Sequence, residues 1–270
     1  TFLPSFERKK GENLLDVVKT IRDFNNFLGN AYINFGKPID LKQFLGKELK
    51  GKEYNIDSPL ERPAWLRSAT SSLGKHIMKS INESVAVSST SLFSLSLLTE
   101  STQSLDLNSI STRIKILIKL IKKNPDFKDI WVTTTNSEEI IRKTEDLKLI
   151  EPQFIGGSKI YKPNKDKAAL LSYYQNNIIH LFLFYSLICL SLKKEKRLPK
   201  TEIFRLINVV FPFLKEDFHL PWEKDQINEA LEKQLSVLVE LELIQKEKLS
   251  YSNKKLGGKN FSHYLALSNI

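Results

Sequence analysis

Residues 168–192 read AALLSYYQNNIIHLFLFYSLICLSL, and this stretch decides how the rest of the chain can fold. It contains no Gly, no Pro and no charged residue. A segment that is apolar on every side is either a membrane span or the central helix of a large core. Tyr173, Asn177 and His180 fall three or four positions apart and share one helical face, with Asn176 beside them. Because hydrogen bonds inside a protein can satisfy such a face, the sequence predicts a buried helix over Ala168–Leu192, with membrane contact of its second half as the alternative.

The composition is typical of a globular protein with a basic surface. Of 270 residues, 41% are hydrophobic and 27% are charged, which allows one large domain or two small ones. The formal net charge of +10 favours anionic partners: nucleic acid, acidic lipid headgroups or an acidic protein. The lysines are spread over many segments, however, and most of them are predicted to lie on solvated faces. The single cysteine, Cys189, excludes a disulfide framework and a cysteine-based zinc site.

The first 40 residues predict the end of an α/β domain. Apolar residues keep helical spacing over residues 12–28. The next segment, AYINFGKPI over residues 31–39, is β-branched and aromatic at Tyr32–Phe35 and then carries a glycine and a proline, which predicts a short strand. No comparable strand follows, so we expect its partner strands outside this chain. Since the chain begins with Thr1 and shows no secretory leader, we expect it to be part of a longer protein.

Residues 41–98 predict helices. Leu41–Leu49 forms a short helix, and another begins at Ala64 with an apolar stripe on one face. The stripe consists of Leu66, Ala69, Leu73, Ile77 and Ile81. Ser84–Leu98 is apolar but rich in serine, and small hydroxyls that bond back to the backbone suit a buried helix. No Gly-x-Ser-x-Gly turn surrounds any of these serines, which argues against a nucleophile.

Residues 105–163 and 198–270 follow one plan. Each contains two helices, a Leu-x-Leu-Ile segment and a pair of strands. The first segment has the helix Ser109–Lys123, a second helix that starts at a capping box of Asn136 and Glu139 and runs through Leu147, and the hairpin Phe154–Tyr161. The second segment has the helix Lys200–Leu214, a helix after Asp225, the segment Leu241–Ile244 and strands that end near His263–Leu267. This order predicts an internal repeat of two winged-helix-like units.

The predicted fold is therefore mainly α. A helical domain over residues 41–270 contains the two winged-helix-like units, and a helix–strand remnant of an α/β domain precedes it over residues 1–40.

The charge of the presumed recognition helices argues against DNA binding by these units. A helix that enters a groove lined with phosphates should be basic. The first helix carries Glu138, Glu139, Glu145 and Asp146 against Arg142, Lys143 and Lys148; the second carries Asp225, Glu229, Glu232 and Glu240 against Lys233. A nucleic-acid-binding regulator and a helical adaptor protein remain the alternative functions.

No catalytic, cofactor-binding or metal-binding residue is predicted from the residue patterns. The four histidines are His76, His180, His219 and His263, and they are too far apart for a local zinc motif. His180 is predicted to be a hydrogen-bonded core histidine beside Asn176 and Asn177, with a catalytic base as the alternative. The chain shows no Gly-rich phosphate loop and no dinucleotide fingerprint.

Four short stretches share their order and spacing with one enzyme family. They are AYINFGKPI at 31–39, RPAWL at 62–66, YYQNNIIH at 173–180 and FPFLK at 211–215. Together they resemble the C-terminal third of the bacterial membrane-bound glycerol-3-phosphate acyltransferases. Two positions depart from the family pattern, because Lys37 stands where an acidic residue is usual and Ile179 where alanine is usual.

The resemblance implies an enzyme that transfers an acyl group from acyl carrier protein or coenzyme A to the sn-1 hydroxyl of glycerol 3-phosphate. This is the first step of phospholipid synthesis, at the cytoplasmic face of the inner (plasma) membrane. The family's catalytic His is followed five positions later by Asp, so that base and orienting group work together. The residues five positions after the histidines of this chain are Ile81, Tyr185, Lys224 and Ser268.

None of these is a carboxylate, and the family's Gly-rich, Arg-bearing phosphate-binding block is also missing from this chain. The resemblance therefore implies no catalytic residue and no cofactor here, and a chain that is inactive alone. It implies a scaffold whose partners are the N-terminal catalytic domain of the same protein and an anionic membrane surface.

Overall fold

The computed structural model describes residues 30–48, 64–253 and 269–270. The chain divides into two compact units, residues 1–31 and residues 32–270, and nearly all described residues belong to the second. That unit is mainly helical, as the sequence predicts. The predicted helix over residues 12–28 and the last strand near His263–Leu267 lie outside the described residues.

The predicted strand at Tyr32–Phe35 is not formed, and residues 32–40 have no regular secondary structure. A strand is stable only when its backbone groups are paired, and none of the described segments pairs with this one. Helix α1, Leu41–Glu48, forms where it was predicted, and the Asp40 carboxylate caps it by accepting a hydrogen bond from the Gln43 amide at 2.9 Å.

Helix α2, Ala64–Glu83, also forms as predicted, but its apolar stripe is not buried. Among the residues of α2 whose side chains are described, only Ala69 is buried, and Leu66, Ile77 and Ile81 are exposed. The spacing of apolar residues predicted the helix correctly. It could not predict the burial, because burial depends on what lies against the stripe.

After α2 comes the first of two α/β units. In chain order its elements are β1 (Ala86–Val87), α3 (Ser89–Leu98), β2 (Leu105–Asp106), α4 (Leu107–Lys123), a 3-10 helix (Pro125–Phe127), β3 (Trp131–Val132), α5 (Ser137–Asp146), β4 (Ile150–Ile155) and β5 (Ser158–Pro163). β1 pairs with β3 in parallel, and β2, β5 and β4 form a three-stranded sheet in that order. The β4–β5 hairpin turns at Gly156 and Gly157, whose φ angles of 57° and 80° favour glycine.

The second α/β unit follows directly after β5 in the chain. Its elements are a 3-10 helix (Lys165–Lys167), α6 (Ala168–Asn176), a 3-10 helix (Ile179–Leu181), α7 (Leu183–Glu195), β6 (Arg197–Pro199), α8 (Lys200–Phe218), α9 (Ile227–Glu240), β7 (Gln245–Glu247) and β8 (Ser250–Ser252). The strands form a sheet in the order β6, β8, β7. Helix α8 runs one turn beyond the predicted end at Leu214 and carries Pro212 inside it.

The two units repeat one arrangement at matching residues. In the first sheet the buried Leu105 pairs with the buried Tyr161, and in the second the buried Leu198 pairs with the buried Tyr251. In both units the order is helix, strand, helix, helix and hairpin, and the last strand lies in the middle of the sheet. The two sheets therefore share their strand order and the order of the elements around them.

The Leu-x-Leu-Ile segments also match in conformation. Lys148 and Glu242 occupy the x position and have φ angles of 54° and 56°. The leucine and isoleucine after each of them are buried. Each segment thus makes the same left-handed turn, which lies between α5 and β4 in the first case and between α9 and β7 in the second.

Only the second half of the central stretch lies in the core, since Leu171 is the one buried residue of Ala168–Asn176, and the stretch is not one helix. It breaks at Asn176–Ile178 into α6 and α7, with a 3-10 helix between them. Two consecutive asparagines are weak helix formers, and both are exposed at the break. Tyr173 is 61% exposed, so only His180 of the predicted polar face is buried. Within the described ranges, no helix has the length and the apolar character that crossing a bilayer requires.

The serine-rich segment is a buried helix over a shorter range than predicted. Residues 84–88 form a turn and β1, and α3 begins after Ser88, whose hydroxyl accepts a hydrogen bond from the Ser91 amide at 3.2 Å. Every residue of α3 except Leu98 is buried. Ser96 bonds back to the carbonyl of Leu92 at 2.8 Å, as expected of a serine in a packed helix.

Candidate functional site

The candidate site is a groove between residues 32–39 and the C-terminal end of α2. It has a volume of about 370 Å³. Its apolar lining consists of Ile39, Ile77, Ile81, Val85 and Ala86. Its polar lining includes Asn34, Lys37, Ser80 and Ser84.

Three contacts hold residues 32–36 in place. The Asn34 side-chain amide donates a hydrogen bond to the main-chain carbonyl of Ser84 at 2.8 Å. Gly36 lies so close to the same residue that a Cβ atom there would be 2.6 Å from the Ser84 hydroxyl oxygen. The Tyr32 ring packs edge-on against Trp131, with a centroid distance of 5.5 Å. The segment that resembles the acyltransferases is therefore docked on the helical region.

The described lining of the groove is apolar with a few polar groups. Among the described residues that line it, Lys37 is the one with a charge, and none is a carboxylate or a histidine. Such a lining can hold an apolar group and attract an anion, but it offers no base and orienting pair. The described residues nowhere bring together three or more His, Cys, Asp or Glu side chains that could bind a metal ion.

His180 is a buried histidine, as predicted, but its partner is different from the predicted one. Its Nε2–H donates to the main-chain carbonyl of Asn82 at 3.3 Å. Asn176 and Asn177, the predicted partners, are exposed because the helix ends there. Burial lowers the pKa of His180 to about 4, so the ring is neutral at pH 7. No ion pair within the described residues joins this ring to a carboxylate.

Asn82, near the end of α2, joins the helix to two parts of the second unit. Its carbonyl accepts the hydrogen bond from His180, and its side-chain amide donates to the carbonyl of Phe218 at 2.8 Å. Seven residues earlier on α2, Lys75 forms an ion pair with Glu216 of α8 at 3.0 Å. These contacts fix the end of α2 that forms one wall of the groove.

The other histidines and the cysteine do not form a site. His76 lies against the Phe44 ring, with a centroid distance of 5.9 Å, and His219 ends α8 with a φ angle of 47°. His263 lies outside the described residues. Cys189 is buried in the core, and this burial raises the pKa of its thiol.

Exposed basic residues form a row on α4 that the sequence pattern did not single out. The row consists of Lys115, Lys119 and Lys122, and we call it the lysine row. α4 contains no acidic residue. None of the ion pairs among the described residues involves the lysine row. The other two basic residues of α4 are paired, Arg113 with Glu100 and Lys123 with Glu240. Like charges four positions apart weaken a helix slightly, so a partner that neutralises the row would stabilise it.

The presumed recognition helices, in contrast, have much of their charge neutralised. Their ion pairs are Lys143 with Glu139, Lys159 with Glu145, Lys200 with Glu232 and Lys233 with Glu229. Their surfaces do not offer the excess of cations that a phosphate groove attracts.

Comparison with known proteins identifies the chain as acyltransferase sequence. The family model described as "Glycerol-3-phosphate acyltransferase C-terminal region" matches residues 7–269, so the chain belongs to that family. The resemblance deduced from the four stretches is thereby confirmed.

Proteins named glycerol-3-phosphate acyltransferase are similar to the chain over most of its length. The one from Pseudomonas putida (strain W619) is 28% identical over 239 residues, which are 88% of this chain and 29% of the relative. The one from Pseudomonas fluorescens (strain Pf0-1) is 26% identical over 253 residues, which are 94% of this chain and 30% of the relative. The chain thus spans about 30% of the length of the curated relatives that it matches.

Proposed function

We propose that the chain is a scaffold for acyl transfer from acyl carrier protein or coenzyme A to the sn-1 hydroxyl of glycerol 3-phosphate, and that the reacting groups lie in another part of a longer protein. The observation that carries the proposal is the docking of residues 32–36 by Asn34 and Gly36 on Ser84. A helical region that holds this family-specific segment can position the domain to which the segment belongs.

The domain assignment follows from the same observation. We infer that residues 1–40 complete the α/β catalytic domain and that residues 41–270 form the helical domain. Ile33 and Phe35 are 76% and 89% exposed, and Ile77 and Ile81 of α2 are exposed nearby. Exposed apolar side chains of this kind mark a surface that another part of a protein covers. The catalytic domain of the same protein is the partner that fits.

We further infer that residues 105–163 and 198–270 are winged-helix-like units that serve as packing modules. The shared element order and the sheet order with the last strand in the middle support this assignment. The paired charges on α5 and α9 support packing over DNA binding.

The lysine row supports a second element of the function, contact with an anionic membrane. We propose that it faces the acidic headgroups at the cytoplasmic face of the inner membrane. Lysine is rare in protein–protein interfaces but binds phosphate well as a point charge. Each lysine near such a surface contributes about 1 kcal/mol of attraction. Neutralising all three should therefore weaken membrane binding on the order of 100-fold.

Vesicle binding tests this membrane contact. The triple variant Lys115→Gln, Lys119→Gln and Lys122→Gln should bind vesicles with anionic lipid far more weakly than the unmodified chain. The control carries the same three charge losses at exposed lysines outside the row, namely Lys165, Lys194 and Lys246. Equal loss of binding in both variants, or equal binding to neutral vesicles, would refute a specific role for the row.

An activity measurement tests the scaffold role. In the full-length acyltransferase, Asn34→Ala removes the hydrogen bond to Ser84 and should lower kcat, since the docked segment loses its position. The control is Asn176→Ala, which changes an exposed asparagine remote from the groove lining. Unchanged activity of the Asn34 variant would contradict the proposal.

A further inference from the structure

Helices α4 and α8 occupy the same place in the two units. Each follows the first strand of its sheet and precedes the helix before the hairpin. When the two helices are aligned on the equivalent strand residues Leu105 and Leu198, every buried residue of α8 falls on a buried residue of α4. The pairs are Ile110 with Ile203, Ile114 with Ile207 and Ile118 with Phe211. The alignment gives residues 200–216 of α8 their equivalents at residues 107–123 of α4.

One edge of the two helices differs sharply in exposure. Leu120 of α4 is completely buried, whereas its equivalent Phe213 is 72% exposed. Leu117 is buried, whereas its equivalent Val210 is 37% exposed, and the neighbouring Val209 is 61% exposed. We call Val209, Val210 and Phe213 the α8 face. Adjacent exposed aromatic and β-branched side chains on a well-packed helix are typical of a contact surface.

In the first unit, helices of the second unit cover this edge. The hydroxyl of Tyr185 on α7 donates to the carbonyl of Leu120 at 3.3 Å. At the end of the same edge, Lys123 forms an ion pair with Glu240 of α9 at 2.7 Å. A neighbouring helical element is therefore what buries this edge of the repeat.

At the α8 face the matching cover is incomplete within the described residues. Glu216 of α8 is the equivalent of Lys123 of α4, and it forms an ion pair with Lys75 of α2 at 3.0 Å. Here α8 supplies the negative charge, whereas α4 supplies the positive charge of its own pair. Asn82 fixes the end of α2 to Phe218 at 2.8 Å. Helix α2 thus reaches α8 through this ion pair and through Asn82, and Phe213 stays exposed.

We propose that the α8 face is the docking surface for the part of the full-length acyltransferase that this chain does not span. That part would bury Phe213 and its neighbours on α8, as α7 and α9 bury the matching edge of α4. The chain spans only about 30% of its relatives, so most of their length is available as the occupant. The occupant would be a mainly apolar surface, since the face itself is apolar and two charged residues beside it are paired, Glu216 with Lys75 and Glu202 with Arg205. The inference rests on the proposed function, because it takes the remainder of that enzyme as the partner.

Thiol labelling of introduced cysteines tests this surface. Phe213→Cys and Val209→Cys are made separately, in the 270-residue chain and in the full-length enzyme, and Cys189 is too deeply buried to compete. The matched control is Lys194→Cys at the exposed end of α7, outside the lysine row. In the chain alone, all three variants should react at similar rates. In the full-length enzyme, the two α8 variants should react at least tenfold more slowly, whereas the control keeps its rate.

Equal labelling of the α8 variants in the two proteins would overturn the proposal. So would protection that appears in the chain alone as its concentration rises, which would indicate a second copy as the partner, or protection that appears only with lipid vesicles. The acyltransferase activity of the full-length enzyme is measured in parallel. Activity without protection refutes the docking surface alone, and protection without activity refutes the proposed function alone.

Discussion

The side-chain amide of Asn82 donates a hydrogen bond to the main-chain carbonyl of Phe218 at 2.8 Å. The same residue accepts a hydrogen bond from His180 through its own main-chain carbonyl. One asparagine near the end of α2 therefore connects this otherwise exposed helix to the end of α8 and to the 3-10 helix between α6 and α7.

Replacing this asparagine should loosen α2. Asn82→Ala removes the bond to Phe218 and leaves a half-buried carbonyl without its partner, which costs about 1–2 kcal/mol. Urea unfolding should show this loss, and hydrogen exchange should increase along α2 before it increases elsewhere. The control Asn176→Ala alters an exposed side chain and should change stability by less than about 0.5 kcal/mol. Unchanged exchange in α2 would contradict the role given to Asn82.

A larger side chain at Gly36 should disturb its contact with Ser84. In Gly36→Ala the new Cβ would lie 2.6 Å from the Ser84 hydroxyl oxygen, so the hydroxyl must rotate away or residues 32–36 must shift. We expect faster hydrogen exchange of these amides and a stability loss of about 1–3 kcal/mol. The double variant Gly36→Ala with Ser84→Ala removes the clashing oxygen and should recover most of the loss. If it does not recover, this close approach is not what excludes a side chain.

Lys148 and Glu242 should both be improved by glycine. Each has a positive φ angle, which costs a residue with a Cβ atom roughly 1 kcal/mol. Lys148→Gly and Glu242→Gly should therefore raise the thermal unfolding midpoint, partly offset by the greater freedom of glycine in the unfolded chain. Lys119→Gly, in the middle of α4, provides the opposite control and should destabilise by about 1 kcal/mol. Equal destabilisation by all three would show that the two turns are not left-handed.

The stability of the chain should fall as His180 becomes protonated in the unfolded state. Burial lowers the folded pKa of His180 from 6.5 to about 4, so between these values only the unfolded chain binds the proton. Stability from this group is complete above about pH 7 and decreases by about 2 kcal/mol between pH 7 and pH 5. His180→Gln can still donate to Asn82, and it should remove this part of the pH dependence. Parallel pH profiles for the two proteins in urea would contradict the prediction.

Periodicity predicted the helices α1, α2 and α4, because local spacing determines where helices form. The glycine pair 156–157 predicted the hairpin for a similar reason, since its conformation is dictated locally. The shared element order of the two sheets was visible in the sequence because the Leu-x-Leu-Ile segment and its neighbouring elements occur twice in the same order.

Features that depend on distant contacts could not be predicted. The strand at Tyr32–Phe35 needs a partner strand, and burial of the α2 stripe needs a covering surface. The partner of His180 is Asn82, which is 98 positions away in the sequence. The lysine row was overlooked because lysines occur throughout the chain, and these three stand out only by lying together on a helix that has no acidic residue.

The most direct test of the scaffold role is an acyl-transfer assay on the purified 270-residue chain with acyl-CoA and glycerol 3-phosphate. The described residues that line the groove offer no base and orienting pair, and we predict no turnover above the background without protein. The full-length enzyme serves as the positive control under the same conditions. Turnover by the chain alone, removed by a substitution within it, would show that this region carries out the chemistry itself and would contradict the account.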